Sequence, residues 1–534
     1  MGLLSITTGE GLDACVEKHA STTAIIEGRS GKAMTWRSLS CAVDDIAKGL
    51  LAKGLRKGDR LGIWAPNSLE WVICFLAAAK IGVIVVGINI HFKEKELENV
   101  LRGLNLRALC FNDGFRDNNF NRMLAALPAD VVPEIVIGYG EQHAETVQGW
   151  SGLVALGQGV GEEQYSAAQV AVSCHDAVAI QLTSGSMAQP KRVLLSHYNL
   201  LNNAFFGASR LGVTPTDSLC LPIPFFHCFG LVYGLYFAVM SGCSLVILDN
   251  YSTDEILNAV QRYRCSVLHG VPTIFSRLIQ HPRLSDYDIS TLEKGVVAGA
   301  YCSPKLVCDI ATRLAMPGIA VSWGQTETSP CCTQTLPEES LAVKSVSIGR
   351  PLPFVEMKVI DGKTKQQCAP GVKGELCTRG YHLMMGYDGD PELTHQVIDE
   401  QGWFHSGDIG FIDQEGNFHY AWRKKELIVR GGENISPREI EEAILECPGI
   451  DAVYVFGVSS ESMGEEVVAA VCPQHERPVS EQLLLNFLRE RIARYKVPAH
   501  LYFFSTFPLT ACGKTDKQSI RRSINTLMTL PPAE

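Results

Sequence analysis

The chain has 534 residues, 46% of them hydrophobic, enough for more than one domain with its own buried core. Its 47 basic and 57 acidic residues leave a net charge of −10, with no run of lysine or arginine suited to a phosphate backbone, so nucleic acid is excluded as the expected partner. Eighteen cysteines without a Cys-x-x-Cys pair, and a start lacking a basic region before a long apolar one, point to reduced thiols and a cytoplasmic protein.

In chain order, Arg60 to Trp64 and Val83 to Ile90 read as apolar strands around a buried helix from Ser68 to Ile81, opened by Pro66-Asn67-Ser68. That is a βαβ unit. Ala177 to Ile180 reads as a strand feeding Thr183-Ser184-Gly185-Ser186-Met187-Ala188-Gln189-Pro190-Lys191. This hydroxyl-rich turn offers side-chain and backbone donors to phosphate oxygens, with Lys191 adding charge; surface turns favour the same residues. It is not a P-loop, because Pro190 stands where the second glycine belongs, and no Gly-x-Gly-x-x-Gly follows a strand.

Pro222 to Gly230 places aromatic residues around His227, a composition suited to an apolar pocket or simply to a core. Cys228 to Met240 is the longest apolar run and falls short of the roughly 20 residues that span a bilayer. A second strand, helix and strand occupies Leu245 to Leu248, a helix opened by the capping box Ser252 to Glu255, and Ser266 to Val271. Such alternation predicts an α/β protein of largely parallel sheets with helices on both faces. After Ile319 to Val321, the turn Ser322 to Thr328 holds Trp323, able to stack on a base, and Glu327, able to ligate Mg2+. Asp408, after Gly407, is an acceptor of the kind that binds ribose hydroxyls or merely completes a turn. The charged segment Ala421 to Glu426 makes a poor core element and predicts a hinge. Beyond it, Ser436-Pro437-Arg438-Glu439 opens a helix with Ile440, Ala443 and Ile444 on one face. Strands Ala452 to Val458 and Val467 to Cys472 and a helix from Glu481 to Tyr495 complete a small α+β domain. Gly431-Gly432 leaves backbone open to a thin ligand, and Lys514 rides on a glycine-supported turn.

Together the loop at 183 to 191, the His227 segment, Trp323 to Thr328, Gly374-Glu375-Leu376, Trp403 to Asp408, Arg423, Gly431 to Glu441 and Gly513-Lys514 resemble, in order and spacing, the adenylate-forming superfamily of acyl-CoA synthetases, peptide-synthetase adenylation domains and luciferases. The resemblance covers nearly the whole chain. It is strongest to medium-chain fatty acyl-CoA and aryl-CoA ligases, through Pro224 to Cys228, Ile348 to Pro353, Met385-Gly386-Tyr387 and Arg430 to Ile435.

The resemblance implies a large N-terminal domain of layered βαβ sheets (1–422), a hinge (423–425, pivoting at Lys425) and a small mobile α+β domain (426–534). It implies ATP, Mg2+ and coenzyme A: a carboxylic acid becomes acyl-AMP, then a thioester. By family position Lys514, Glu327, Thr326 and His227 are catalytic and Glu327 holds the metal. Thr183, Ser184, Gly185, Ser186, Lys191, Gly299, Ala300, Trp323, Gly324, Gln325, Thr326, Asp408 and Arg423 meet the nucleotide. The acyl pocket draws on His227, Cys228, Phe229, Ala298, Gly299, Gly324 and Ser329, and the coenzyme A tunnel on Gly431, Gly432 and Glu433. A monomer or homodimer is implied. An acyl-AMP ligase loading an acyl carrier protein and a non-catalytic nucleotide or acyl binder are the alternatives. Met187, Ala188 and Arg192 depart from the family loop, as do Trp422, Glu426 and Tyr301 elsewhere, which sets turnover rate in question more than reaction class.

Overall fold

The structure is a computed structural model that describes residues 2–140, 147–183, 190–430, 433–460, 463–474, 479–511 and 513–529. It forms two compact units: Met1–Glu356 with Thr378–Phe404, and Met357–Cys377 with His405–Glu534. Each obeys its own packing logic.

The larger unit holds two sheets. Among the described residues one has eight strands, with Ala177–Thr183, Ile84–Gly87, Arg60–Trp64, Ala108–Phe111 and Ile135–Gly138 side by side and parallel. The expected βαβ unit is present: Ser68 caps Leu69–Lys80 by accepting from the Trp71 amide, and Arg60–Trp64 pairs directly with Ile84–Gly87. Every residue of that helix except Glu70 is buried. Lys80 is tolerated because its ammonium meets Asp44 at 2.8 Å and Asp13 at 2.9 Å.

The second sheet has nine strands among the described residues, and Ser218–Leu221, Ser244–Ile247, Val267–Leu268, Lys294–Val297 and Gly318–Trp323 run parallel. The second expected βαβ unit differs in one respect. Ser218–Leu221 lies between Ser244–Ile247 and Val267–Leu268, so the two strands joined by the Thr253–Tyr263 helix are not neighbours. The Ser252 hydroxyl accepts the Glu255 amide but donates to the Glu255 carboxylate, so the expected reciprocal bond to the cap backbone is not made.

In the smaller unit Val467 to Cys472, within the strand Gly464–Pro473, are buried on both faces, and their alternation decides the layers. Val467, Ala469 and Val471 pack under Ile440, Ile444, Leu484 and Leu488, whereas Val468, Ala470 and Cys472 pack against Ile520 and Ile524. Ile440, Ala443 and Ile444 are buried as expected, but the Ser436 side chain makes no cap bond and Glu439 pairs with Lys496. The helix expected to reach Tyr495 ends at Arg489, because the Arg491 and Ile492 amides both turn back to the Leu488 carbonyl.

The units do not divide at the expected 423–425. Trp422 and Arg423 belong to the strand Phe418–Arg423, and the turn Lys424–Glu426 begins only after it. Residues 405–422 group with the C-terminal segment because Arg438 of the Pro437–Leu445 helix donates to the Tyr420 and Ala421 carbonyls and covers the Tyr420 ring.

Candidate active site

In the larger unit, neighbouring parallel strands deliver the predicted residues to one sheet edge. Ser218–Leu221 leads into Pro222 to Phe229, Val267–Leu268 into His269, Lys294–Val297 into Ala298 to Ala300, and Gly318–Trp323 into Gly324 to Thr328. All leave at the carboxyl end, the position where open α/β sheets bind ligands. Asn67, buried and expected only as part of a helix start, fixes the first of these loops: its amide donates to the Ile223 carbonyl at 2.9 Å and its oxygen accepts the Phe225 amide at 2.9 Å.

His227 is half-buried and its Nδ1 accepts the Phe229 amide at 3.4 Å; Cys228 and Phe229 are buried. They start a helical stretch that passes through a π-helical turn at Leu231–Tyr236, a geometry frequent at functional sites. Burial, then the charge of Glu327, pushes the Cys228 thiol well up. Ala298 is half-buried, while Gly299, with φ +85°, and Ala300 are exposed. At Gly324 a Cβ would lie 2.0 Å from the Pro330 carbonyl oxygen, so only glycine fits. Ser329 is fully buried with its hydroxyl unpaired among the described residues.

Glu327 sits in the short turn Thr326–Thr328, 9% exposed. Its Oε1 accepts the Tyr387 hydroxyl at 2.7 Å, and the Lys191 ammonium stands 3.3 Å from that hydroxyl and 4.7 Å from the ring centre. A lysine, a phenol and a carboxylate thus form one polar chain across elements far apart in sequence. Thr183 faces Lys191 in register across an antiparallel strand pair. Ser184, Gly185, Ser186, Met187 and Ala188 lie outside the described residues. Arg192, unexpected in this loop, has a structural task. With Arg60 it holds Asp388, the residue after Tyr387: Arg60 meets both carboxylate oxygens at 2.8 and 3.1 Å, and Arg192 binds the Asp388 carbonyl at 2.9 Å.

In the smaller unit, Asp408 and Arg423 are directly opposed across Phe404–Ile412 and Phe418–Arg423, with Oδ1 3.3 Å from Nε. Asp408 is buried, its amide donating to Ser406 at 3.0 Å. Glu375 beside it accepts the Gly407 amide at 3.1 Å, and the neighbouring His405 holds its carboxyl below the usual range. Lys514 is half-exposed on a hairpin closed by Thr510 and Lys514, with Gly513 at φ +77°, and its ammonium has no ion pair among the described residues. Glu426 receives Lys517 at 3.0 and 3.1 Å. Lys373 covers the Trp422 ring at 4.9 Å. Arg430 and Glu433 pair across adjacent strands, while Gly431, Gly432 and the Glu433 side chain lie outside what is described.

The sequence model of the AMP-binding enzymes matches residues 12–388, and that of the AMP-binding enzyme C-terminal domain matches residues 439–514. The chain belongs to the AMP-binding enzymes. It is 33% identical over 537 residues to YngI of Bacillus subtilis (strain 168), named as an acyl-CoA synthetase, with 97% of each chain covered. It is 34% identical to the mitochondrial medium-chain acyl-CoA ligase ACSF2 of Macaca fascicularis, covering 98% of this chain and 88% of that one. Among solved structures, ATP-bound MatB of Rhodopseudomonas palustris superposes with a TM-score of 0.86 at 25% identity, covering 98% of this chain and all of that one. The adenylate-forming fold and the acyl-CoA synthetase class expected from the motifs are therefore correct.

Three residues of this AMP-binding enzyme escaped the sequence reading as site components. Tyr387 was legible only as part of a motif, Asn67 only as a helix start, and His269 carried no local signal. His269 is fully buried among Phe229, Tyr233 and Phe237; Nδ1 accepts the Val296 amide at 3.1 Å, and Nε2 has no partner among the described residues. Burial pushes its pKa down to about 3, so it stays neutral. Among the described residues no helix is long and apolar enough to cross a membrane, and the described cysteines are free thiols.

Proposed function

We propose that this enzyme is an ATP-dependent carboxylate–CoA ligase whose acid is a medium-chain fatty or aromatic acid. The observation carrying the reading is the convergence of the His227, Ala298 and Gly324 loops at one sheet edge beside the bonded chain Lys191, Tyr387 and Glu327. The side chains gathered there, Cys228, Phe229, Ala298 and Ser329, are small or apolar and supply no cation for a second carboxylate. The medium-chain ligase among the relatives supports the same substrate class.

In the first half-reaction a carboxylate oxygen bonds to the α-phosphorus of ATP and the bond to the β-phosphate oxygen breaks, releasing pyrophosphate. In the second the coenzyme A sulfur bonds to the acyl carbon, and the bond to AMP breaks. Two anions meet in the first step, so charge neutralisation and alignment dominate its barrier. Lys514 is assigned the bridge between carboxylate and phosphates. Thr183, Ser184, Ser186 and Lys191 are assigned the phosphate oxygens, Trp323 the adenine, and Asp408 and Arg423 the ribose. Glu327 offers a carboxylate whose Oε2 accepts no hydrogen bond from the described residues, an oxygen donor suited to Mg2+. Mg2+ would supply charge neutralisation to the leaving pyrophosphate. The C-terminal segment is proposed to turn about Lys425 between half-reactions, with Gly431, Gly432 and Glu433 beside the pantetheine. We place the enzyme in the cytoplasm.

A panel of straight-chain and aryl carboxylic acids, read by AMP release with free coenzyme A or with an acyl carrier protein, tests this. Thioester formed with free coenzyme A and an apolar acid is the expected result. Product with the carrier protein alone would instead make it an acyl-AMP ligase.

A further inference from the structure

Glu375 and Cys377 stand two residues apart on Gly374–Gly380 and so share one face of the strand, while His405 sits on the neighbouring strand Phe404–Ile412. Cys377 Sγ is 3.6 Å from His405 Nδ1, and that nitrogen is 3.6 Å from Glu375 Oε2; one ligand atom from each residue falls within 4.8 Å of the others. A nitrogen–oxygen separation of 3.6 Å is long for a hydrogen bond. It is close to what a tetrahedral ion imposes: bonds of about 2.3 Å to sulfur and about 2.0–2.2 Å to nitrogen and oxygen put ligand atoms roughly 3.3–3.6 Å apart. We propose that Glu375, Cys377 and His405 bind Zn2+, with water in the fourth position.

The donor set favours this ion. Thiolate and imidazole select borderline-soft zinc, whereas Mg2+ takes oxygen ligands. Glu375 and Cys377 are buried, and the His405 side chain, 23% exposed, leaves the open coordination position within reach of solvent. The second carboxylate oxygen of Glu375 accepts the Gly407 amide at 3.1 Å, the kind of outer bond that fixes a metal ligand's orientation. Binding converts the Cys377 thiol to thiolate and releases its proton to solvent, so affinity should fall as pH is lowered. The proposal is independent of the substrate reading, because it concerns only the metal affinity of the purified chain.

The test is titration of the chelator-treated full-length protein with Co2+, followed by absorbance, then displacement with Zn2+. One equivalent of Co2+ should give a near-ultraviolet thiolate-to-cobalt band that Zn2+ removes and excess Mg2+ does not. Cys377→Ser should abolish the band, and His405→Gln should weaken Co2+ binding at least about tenfold. No band in the wild type, or an undiminished one in Cys377→Ser, would overturn the proposal. Should circular dichroism find Cys377→Ser unfolded, His405→Gln decides, and unchanged affinity in it would equally overturn the site.

Discussion

Lys191 and Lys514 both follow stretches of small residues in the sequence, yet the protein treats them in opposite ways. Lys191 is held by the hydroxyl and ring of Tyr387, whose phenol is itself fixed by Glu327, whereas Lys514 stands half-exposed without an ion pair among the described residues. A preorganised cation belongs to a permanent binding surface, since its orientation cost is met on folding. An uncommitted one suits a group needed in only one of two half-reactions.

The sharpest way to break that comparison is Lys514→Ala. Adenylation should fall at least about 10²-fold, the size of effect seen when one group stabilising transition-state charge is removed, while thioester formation from preformed acyl-AMP is largely spared. Equal loss in both half-reactions, measured separately, would remove the distinction. A smaller effect is expected at Tyr387→Phe, where a hydrogen bond to a carboxylate worth about 1.5–3 kcal/mol disappears. Lys191 and Glu327 lose the hydroxyl they share, although the ring beneath the Lys191 ammonium stays, and kcat/KM should drop roughly tenfold or somewhat more. Glu327→Gln should raise the Mg2+ concentration needed for half-maximal rate, and an unchanged requirement would leave Glu327 without its metal role.

The two units also answer pH differently. His197, His269 and His382 in the larger unit are buried with pKa values pushed down to about 4, 3 and 3. Their neutral forms stabilise the fold above pH 6.5, and that contribution is lost as pH falls below it, because the unfolded chain takes up protons first. Glu441 in the smaller unit runs the other way: burial raises it from 4.5 to about 6. The folded state then holds the proton longer, and stability declines as pH rises from 4.5 through 6, by about 2 kcal/mol. Glu441→Gln should therefore lose little at pH 4 and gain on the wild type by pH 7.5 in denaturant melts; a difference independent of pH would refute this. The smallest effect belongs to Arg192→Ala. Arg60 still holds Asp388 in the variant, so the cost should be about 1 kcal/mol or less, read as a small shift in denaturation midpoint.

Much of this was legible in the residues. The Leu69–Lys80 helix announced itself by Ser68 and a nearly unbroken apolar run, and the strand Gly464–Pro473 by the continuous apolar run Val467 to Cys472 within it. Their cause is local, in periodicity and capping. The Glu327 to Tyr387 bond was not legible, since sixty positions separate two residues that only the fold brings together. Nor was the intervening strand Ser218–Leu221, because hydrophobic pattern predicts a strand but not its neighbours. Arg192 teaches the same point. As a departure from a motif it suggested a slower enzyme; in the fold it is a clamp on Asp388.

Exchange of labelled pyrophosphate into ATP, followed with and without an added apolar carboxylic acid, tests the central claim most directly. Adenylate formation predicts exchange that requires the acid and disappears in Lys514→Ala. ATP binding without acid-dependent exchange for any member of the panel would contradict it and leave a nucleotide binder in its place.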